Sequence, residues 1–377
     1  MTLGFAIALA AGLFLAFSNG ANDNFKGVAT LLGSKTASYR VALLWATVST
    51  FAGSVLAIFL AQKLMASFSG KGLVPDDVVR LSSFPVSVAL AAACTVLLAT
   101  KLGFPISTTH AITGALVGSG LAASPQGVHL EKLLSTFFMP LLVSPVLAIL
   151  GASILYPLFS NLRKRLGVSR ESCLCIGNEV IMKAPQGFRQ GAAAVLQVDC
   201  SPSISIGTNV SCEERYLGQV FGLSAKSLLD SGHFLSAGLV GFARGLNDTP
   251  KIAALFLVGG TFGVNAAAGS VALLMAIGGV LFARRIAETM SYQITEMNDG
   301  QGFSGNFVTS LIVIGASQLG MPVSTTHVSC GALFGIGTIT GQAHWGGILK
   351  IVLSWLVTLP VSAILGLLSF TFLRGLI

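Results

Sequence analysis

Leu102-Gly103-Phe104-Pro105-Ile106-Ser107-Thr108-Thr109-His110 returns 217 residues later as Leu319-Gly320-Met321-Pro322-Val323-Ser324-Thr325-Thr326-His327. A second stretch behaves the same way. Gly20-Ala21-Asn22-Asp23-Asn24-Phe25-Lys26 is matched at an offset of 225 by Gly245-Leu246-Asn247-Asp248-Thr249-Pro250-Lys251. Beyond the first motif the glycines keep step, with Gly114, Gly118 and Gly120 against Gly331, Gly335 and Gly337. Two long matches in the same order identify an internal duplication.

What surrounds these motifs is apolar. Of 377 residues, 53% are hydrophobic and only 10% are charged, whereas a soluble domain carries about 25% charged residues to wet its surface. That composition excludes a cytosolic enzyme, a nucleic-acid binder and a disordered chain, and leaves a polytopic membrane protein. The 44 glycines fit closely packed transmembrane helices. The net charge of +8 comes from scattered residues apart from Arg163, Lys164, Arg165 and Arg170. Beside an apolar run, that cluster marks a cytoplasmic flank.

Apolar segments fall at 3–33, 41–62, 84–100, 105–123 and 133–160, and again at 232–262, 266–285, 303–318, 322–340 and 346–373. The first segment of each set is too long for one crossing and has polar residues in its middle. The third and fourth are short and joined through Gly and Pro. Whether that pair forms two crossings or one re-entrant hairpin, each half crosses an odd number of times, so the halves enter the membrane from opposite sides. The expected fold is therefore an all-α polytopic membrane protein of two inverted-topology repeats, 1–160 and 226–377, with broken helices and re-entrant hairpins. A small cytoplasmic linker domain, 161–225, joins them. Within it Glu179–Met182 and Ala194–Val198 read as short strands, and Cys173, Cys175, Cys200 and Cys212 as reduced thiols rather than a metal site. The run from Leu3 has no basic flank or cleavage site and reads as a retained span.

An aspartate inside a membrane segment is costly, so by default it marks function. Asp23 and Asp248 occupy matching positions, each after an asparagine, Asn22 or Asn247. Gly-x-Asn-Asp is poor helix-forming material, and a break there would place backbone carbonyls beside amide and carboxylate oxygens. Those hard donors suit sodium. The competing reading is a carboxylate that caps a half-helix or pairs with Lys26 or Lys251. Ser107-Thr108-Thr109 and Ser324-Thr325-Thr326 each follow a proline and precede an Ala/Gly-rich helix. Hydroxyls beside the free N–H groups of a helix start make an anion cradle, with simple capping as the alternative. His110 and His327 are proton sensors or local braces. Gly114-x-x-x-Gly118 and Gly331-x-x-x-Gly335 are close-packing patterns. The sequence contains no phosphate-binding loop, His-Glu-x-x-His or nucleophile elbow, which argues against an enzyme and against nucleotide-driven transport.

Taken together, the paired Gly-x-Asn-Asp and Pro-x-Ser-Thr-Thr-His motifs around a central hydrophilic segment resemble the inorganic phosphate transporter (PiT) family. The resemblance covers both halves. It implies symport of inorganic phosphate with sodium or protons, both termini outside, a cytoplasmic central loop, and a site formed by the Asn-Asp and Ser-Thr-Thr positions. The chain departs from the family pattern after each aspartate, where it carries Asn24-Phe25-Lys26 and Thr249-Pro250-Lys251. The expectation is thus a plasma-membrane symporter for phosphate and sodium without an organic cofactor. Phosphate is expected at Ser107, Thr108, Thr109, Ser324, Thr325 and Thr326, and sodium at Asn22, Asp23, Asn247 and Asp248. Lys26, Lys251, His110 and His327 are accessory. Proton coupling, another oxyanion such as sulfate, and a passive channel are the alternatives, and a homo-oligomer stays open.

Overall fold

In lipid every backbone polar group must be satisfied within its own segment, so long apolar runs become helices. The computed structural model describes residues 3–124, 127–169, 171–183, 197–208, 220–258 and 263–376. Helices run over Leu3–Asp23 (α1), Ala29–Gly33 (α2), Tyr39–Leu60 (α3), Gln62–Ser67 (α4), Asp76–Val79 (α5), Ser83–Leu102 (α6), Thr108–Ala123 (α7) and Leu130–Arg165 (α8). Strands follow at Ser172–Lys183 (β1), Gln197–Thr208 (β2) and Val220–Ser224 (β3). Helices resume over Ala225–Val258 (α9), Val264–Phe282 (α10), Arg284–Tyr292 (α11), Asp299–Leu319 (α12), Thr325–Thr340 (α13) and Trp345–Leu373 (α14). Among the described residues, α3, α6, α8, α10 and α14 are long and apolar enough to cross a membrane.

Two compact units emerge, Met1–Tyr156 with His233–Ile377, and Pro157–Gly232. The smaller unit contains an antiparallel three-stranded sheet of order β2-β1-β3. The short strand expected at Glu179–Met182 lies within β1, where Val180 faces Cys200 and Met182 faces Val198. Of the second, expected at Ala194–Val198, residues 194–196 lie outside the described residues, as does Cys212.

In the larger unit, segments of the two sequence halves interleave. Helix α1 packs on α10 and α6, and α14 packs on α7 and α6. Glycines make the crossings close. A Cβ on Gly20 would lie 2.0 Å from the Met275 carbonyl oxygen, and one on Gly245 would lie 2.1 Å from that of Thr50. Gly118 meets the Ala363 backbone of α14, and Gly335 meets that of Ile149 in α8. The Gly-x-x-x-Gly patterns therefore act as backbone contact faces.

The helix pairs α6–α7 and α12–α13 are joined by the short links 103–107 and 320–324. Each pair has the same punctuation. Gly103 (φ +80°) and Gly320 (φ +74°) close the first helices in the left-handed conformation that glycine adopts without a Cβ penalty. Ser107 and Ser324 open the second helices as N-caps, their Oγ atoms accepting the backbone N–H of His110 and His327 at 3.1 and 3.2 Å.

The two long first segments differ. The expected break occurs in the first, where α1 ends at Asp23 and residues 24–28 form turns before α2. In the second the expected break does not occur, because α9 continues through Asn247 and Asp248 with Pro250 inside it. Local propensity is a weak prior, and a buried helix outlasts a few poor formers. Pro250 removes only the hydrogen bond to the Leu246 carbonyl, four residues back.

Candidate functional site

Both asparagines bond to the link that leads into the serine-threonine triplet of their own half. Asn22 donates from Nδ2 to Thr100 Oγ1 (2.9 Å) and to the Phe104 carbonyl (3.1 Å). Its Oδ1 accepts the Ile106 N–H at 3.2 Å. In the second half Asn247 donates to Thr325 Oγ1 (3.1 Å) and to the Val323 carbonyl (3.2 Å), and its Oδ1 accepts from Ser317 Oγ at 3.3 Å. Thr100 and Ser317 are themselves counterparts at the offset of 217. Asn22 and Asn247, like both aspartates, are buried, so each amide ties a first-segment motif to the adjacent link.

The lysines complete a reciprocal pattern. Lys26 Nζ pairs with Asp23 Oδ1 and donates to Asn22 Oδ1 (2.8 Å), the Ile106 carbonyl (2.6 Å) and Thr326 Oγ1 (2.6 Å). Lys251 Nζ reaches Asp248 Oδ1 (3.4 Å), the Val323 carbonyl (2.8 Å) and Thr109 Oγ1 (2.7 Å). Each ammonium thus holds the carboxylate of its own motif, a carbonyl of its own link and a threonine of the opposite half. The threonines cross too, Thr109 Oγ1 donating to the Val323 carbonyl (3.1 Å) and Thr326 Oγ1 to that of Ile106 (2.9 Å). Aspartate–lysine pairing, the competing reading of the sequence, is what the side chains do.

The triplet hydroxyls divide by position. Ser107 and Ser324 cap their helices, and a capping hydroxyl that accepts an N–H retains its own proton to donate. Thr108 Oγ1 donates to Asp23 Oδ2 at 2.9 Å, and Thr325 Oγ1 accepts from Asn247. His110 Nδ1 and His327 Nε2 meet at 3.2 Å. His327 also stacks on Trp355, whose indole N–H donates to the Pro105 carbonyl at 3.1 Å. This arrangement braces the first link against α14.

Two participants lie outside the motifs that the sequence singled out. Asn19, one turn before Asp23, donates to Asp23 Oδ2 (3.0 Å), Thr108 Oγ1 (2.9 Å) and Asp248 Oδ2 (3.3 Å). Arg244, one turn before Asp248, is fully buried. It donates to Asn19 Oδ1 (2.6 Å) and Asn24 Oδ1 (3.1 Å), and its Nε lies 3.6 Å from Asp248 Oδ2. The available signal was helical spacing. A residue four before a buried carboxylate shares its face, and an arginine within an apolar run needs a partner.

The result is a buried cluster in which Lys26, Lys251 and Arg244 outnumber Asp23 and Asp248 by one positive charge. Two serine-capped helix starts, each with positive dipole character, meet at the same place. An excess cation in a desolvated spot is costly unless an anion compensates it. Chemically, the arrangement is suited to holding an oxyanion.

Comparison with known proteins agrees with that chemistry. Residues 19–366 match the model of the Phosphate transporter family. A protein of Thermococcus kodakarensis named "Putative phosphate permease" is 28% identical, with 97% of each chain covered. One of Chlamydia trachomatis with the same description is 27% identical at the same coverage. A solved structure described as "The sodium-dependent phosphate transporter" superposes over all of both chains with a TM-score of 0.76 at 23% identity, a likeness of fold. With a family match that spans both copies of both motifs, the chain is a membrane transporter, not an enzyme, and belongs to the phosphate transporter family.

Proposed function

We propose that this chain carries inorganic phosphate into the cell by secondary active transport, with sodium as the coupling ion. The observation that carries the reading is the meeting of two serine-capped helix starts in a buried cluster with one surplus positive charge. Phosphate sits between the turns of Ser107-Thr108-Thr109 and Ser324-Thr325-Thr326, where hydroxyls and first-turn N–H groups supply donors. Asn22, Asp23, Asn247 and Asp248 form the cation-facing part of the site, where the aspartates hold the ammonium groups of Lys26 and Lys251. Sodium binds hard oxygens and needs no titration step in the cycle, and the fold neighbour is described as sodium-dependent. A cation must accompany the anion, because moving one negative charge against 100 mV costs about 2.3 kcal/mol.

The parity of the segments and the reciprocal lysine contacts support inverted-topology repeats as the scaffold. The basic cluster at Arg163–Arg165 supports a cytoplasmic central segment, with both termini outside. The test is uptake of radioactive phosphate into proteoliposomes with and without an inward sodium gradient, with sulfate as competitor. Sodium-stimulated uptake that excess sulfate leaves unchanged is the expected result. Absence of phosphate uptake, or preference for sulfate, overturns the reading. The contact between His110 and His327 favours one second reading, proton coupling. Uptake that follows a proton gradient in choline would establish it.

A further inference from the structure

The ammonium of Lys26 is enclosed by four oxygens of four kinds: the amide of Asn22, the carboxylate of Asp23, the carbonyl of Ile106 and the hydroxyl of Thr326. That of Lys251 has three, from Asp248, Val323 and Thr109. Both side chains are at most 1% exposed. A lysine that only neutralised an aspartate would need only that carboxylate. These two reach past it to a link carbonyl and to a threonine of the opposite triplet, so each ammonium lies against the turn that the phosphate reading assigns to the anion. Carboxylate, amide, carbonyl and hydroxyl oxygens together are also the donor set of a small hard cation, and an ammonium is a compact point charge.

We infer that the ammonium groups of Lys26 and Lys251 are built-in counter-cations of the phosphate site, filling the two duplicated oxygen shells so that sodium is not drawn into either. This inference rests on the phosphate reading. It also limits the coupling. A tethered cation offsets the charge of the anion while it is bound, yet it stays with the protein and carries no gradient energy across the membrane. Sodium that does couple must therefore bind to oxygens other than those that hold the two ammonium groups.

The experiment is phosphate binding to the purified full-length protein across a sodium series balanced with choline. It compares wild type with Lys26→Asn, Lys251→Asn and the double variant. Wild type is expected to show a shallow sodium dependence. The double variant should bind phosphate at least about tenfold more weakly in choline, the scale of a lost charge-assisted contact, and should recover in sodium along a steeper curve. Lys26→Arg, which keeps the charge, should stay shallow. Sodium-induced shifts of the thermal transition, recorded without phosphate, give a second measurement. They should be larger in the double variant, and a variant that folds only in sodium counts in favour. Equal sodium slopes in wild type and variants overturn the inference, as does weakened binding or lost folding that sodium does not restore. A wild type that binds no phosphate in either buffer defeats the phosphate reading instead, and the sodium-induced thermal shift still decides the assignment of the lysines.

Discussion

The two Asn-Asp copies each pair with a lysine and bond to their own link, but differ in their backbone and in the residue one turn earlier. At Asp23 the helix ends and that residue is Asn19. At Asp248 the helix continues and it is Arg244. Asn19 and Arg244 are counterparts at the offset of 225, and they touch, Arg244 Nη2 donating to Asn19 Oδ1 at 2.6 Å. A residue that contacts its own counterpart must be self-complementary or must diverge. Two arginines would repel in a buried site, whereas arginine with asparagine makes a charge-assisted hydrogen bond. His110 and His327 are also counterparts in contact, and they have not diverged. An imidazole offers a donor at one nitrogen and an acceptor at the other, so two of them are compatible. The two copies keep the asparagine, aspartate and lysine of the motif and differ where the counterparts Asn19 and Arg244 meet.

The comparison breaks most sharply at Arg244. Arg244→Met leaves Lys251 on Asp248 and orphans two buried acceptors, Asn19 Oδ1 and Asn24 Oδ1, which should cost about 2–6 kcal/mol together at about 1–3 kcal/mol each. Asn19→Ala should cost less, about 1–3 kcal/mol for orphaned polar partners. Thermal unfolding of the two purified variants checks the order, and equal losses would show that the seam is not asymmetric in energy.

Gly20→Ala and Gly245→Ala come next. Each adds a methyl into a carbonyl about 2 Å away, an overpacking that costs about 1–3 kcal/mol. The two losses should match in the same assay, since both crossings are alike. A tolerated alanine at one position would separate the copies.

Smaller again is the contrast between Thr108→Val and Thr325→Val. Both should raise the phosphate concentration needed for half-maximal uptake. Thr108 donates to Asp23 and accepts from Asn19, whereas Thr325 accepts from Asn247. The Thr108 variant should be affected more, by about 1 kcal/mol or roughly fivefold. The smallest effect belongs to the caps. Ser107→Ala and Ser324→Ala should each lower stability by about 1 kcal/mol, with no difference between them in thermal melting.

Much of this site was legible because it is local. The proline before each triplet and the serine that opens it announced the capped starts of α7 and α13, and the lysine three residues after each aspartate offered the ion pair. The break after Asp23 also followed from neighbouring residues. The same reasoning failed at Asp248, where the backbone of α9 stays helical despite equally poor formers. It also stopped short of Asn19 and Arg244, although their spacing of four from the aspartates was visible, because neither belongs to the matched motifs as they were aligned.

Duplication, apolar segmentation, end caps and the charge pairs within one turn were determined by the sequence alone, because each depends on residues a few positions apart. Tertiary structure decided which distant groups close around those pairs. Nothing near Lys26 in the chain indicates that its ammonium meets a hydroxyl 300 residues away, or that Arg244 lies against Asn19. Those contacts depend on how closely helices from opposite halves approach. That distance is set by glycine crossings such as Gly20 on Met275 and Gly245 on Thr50, since only a residue without a Cβ lets two backbones come so near.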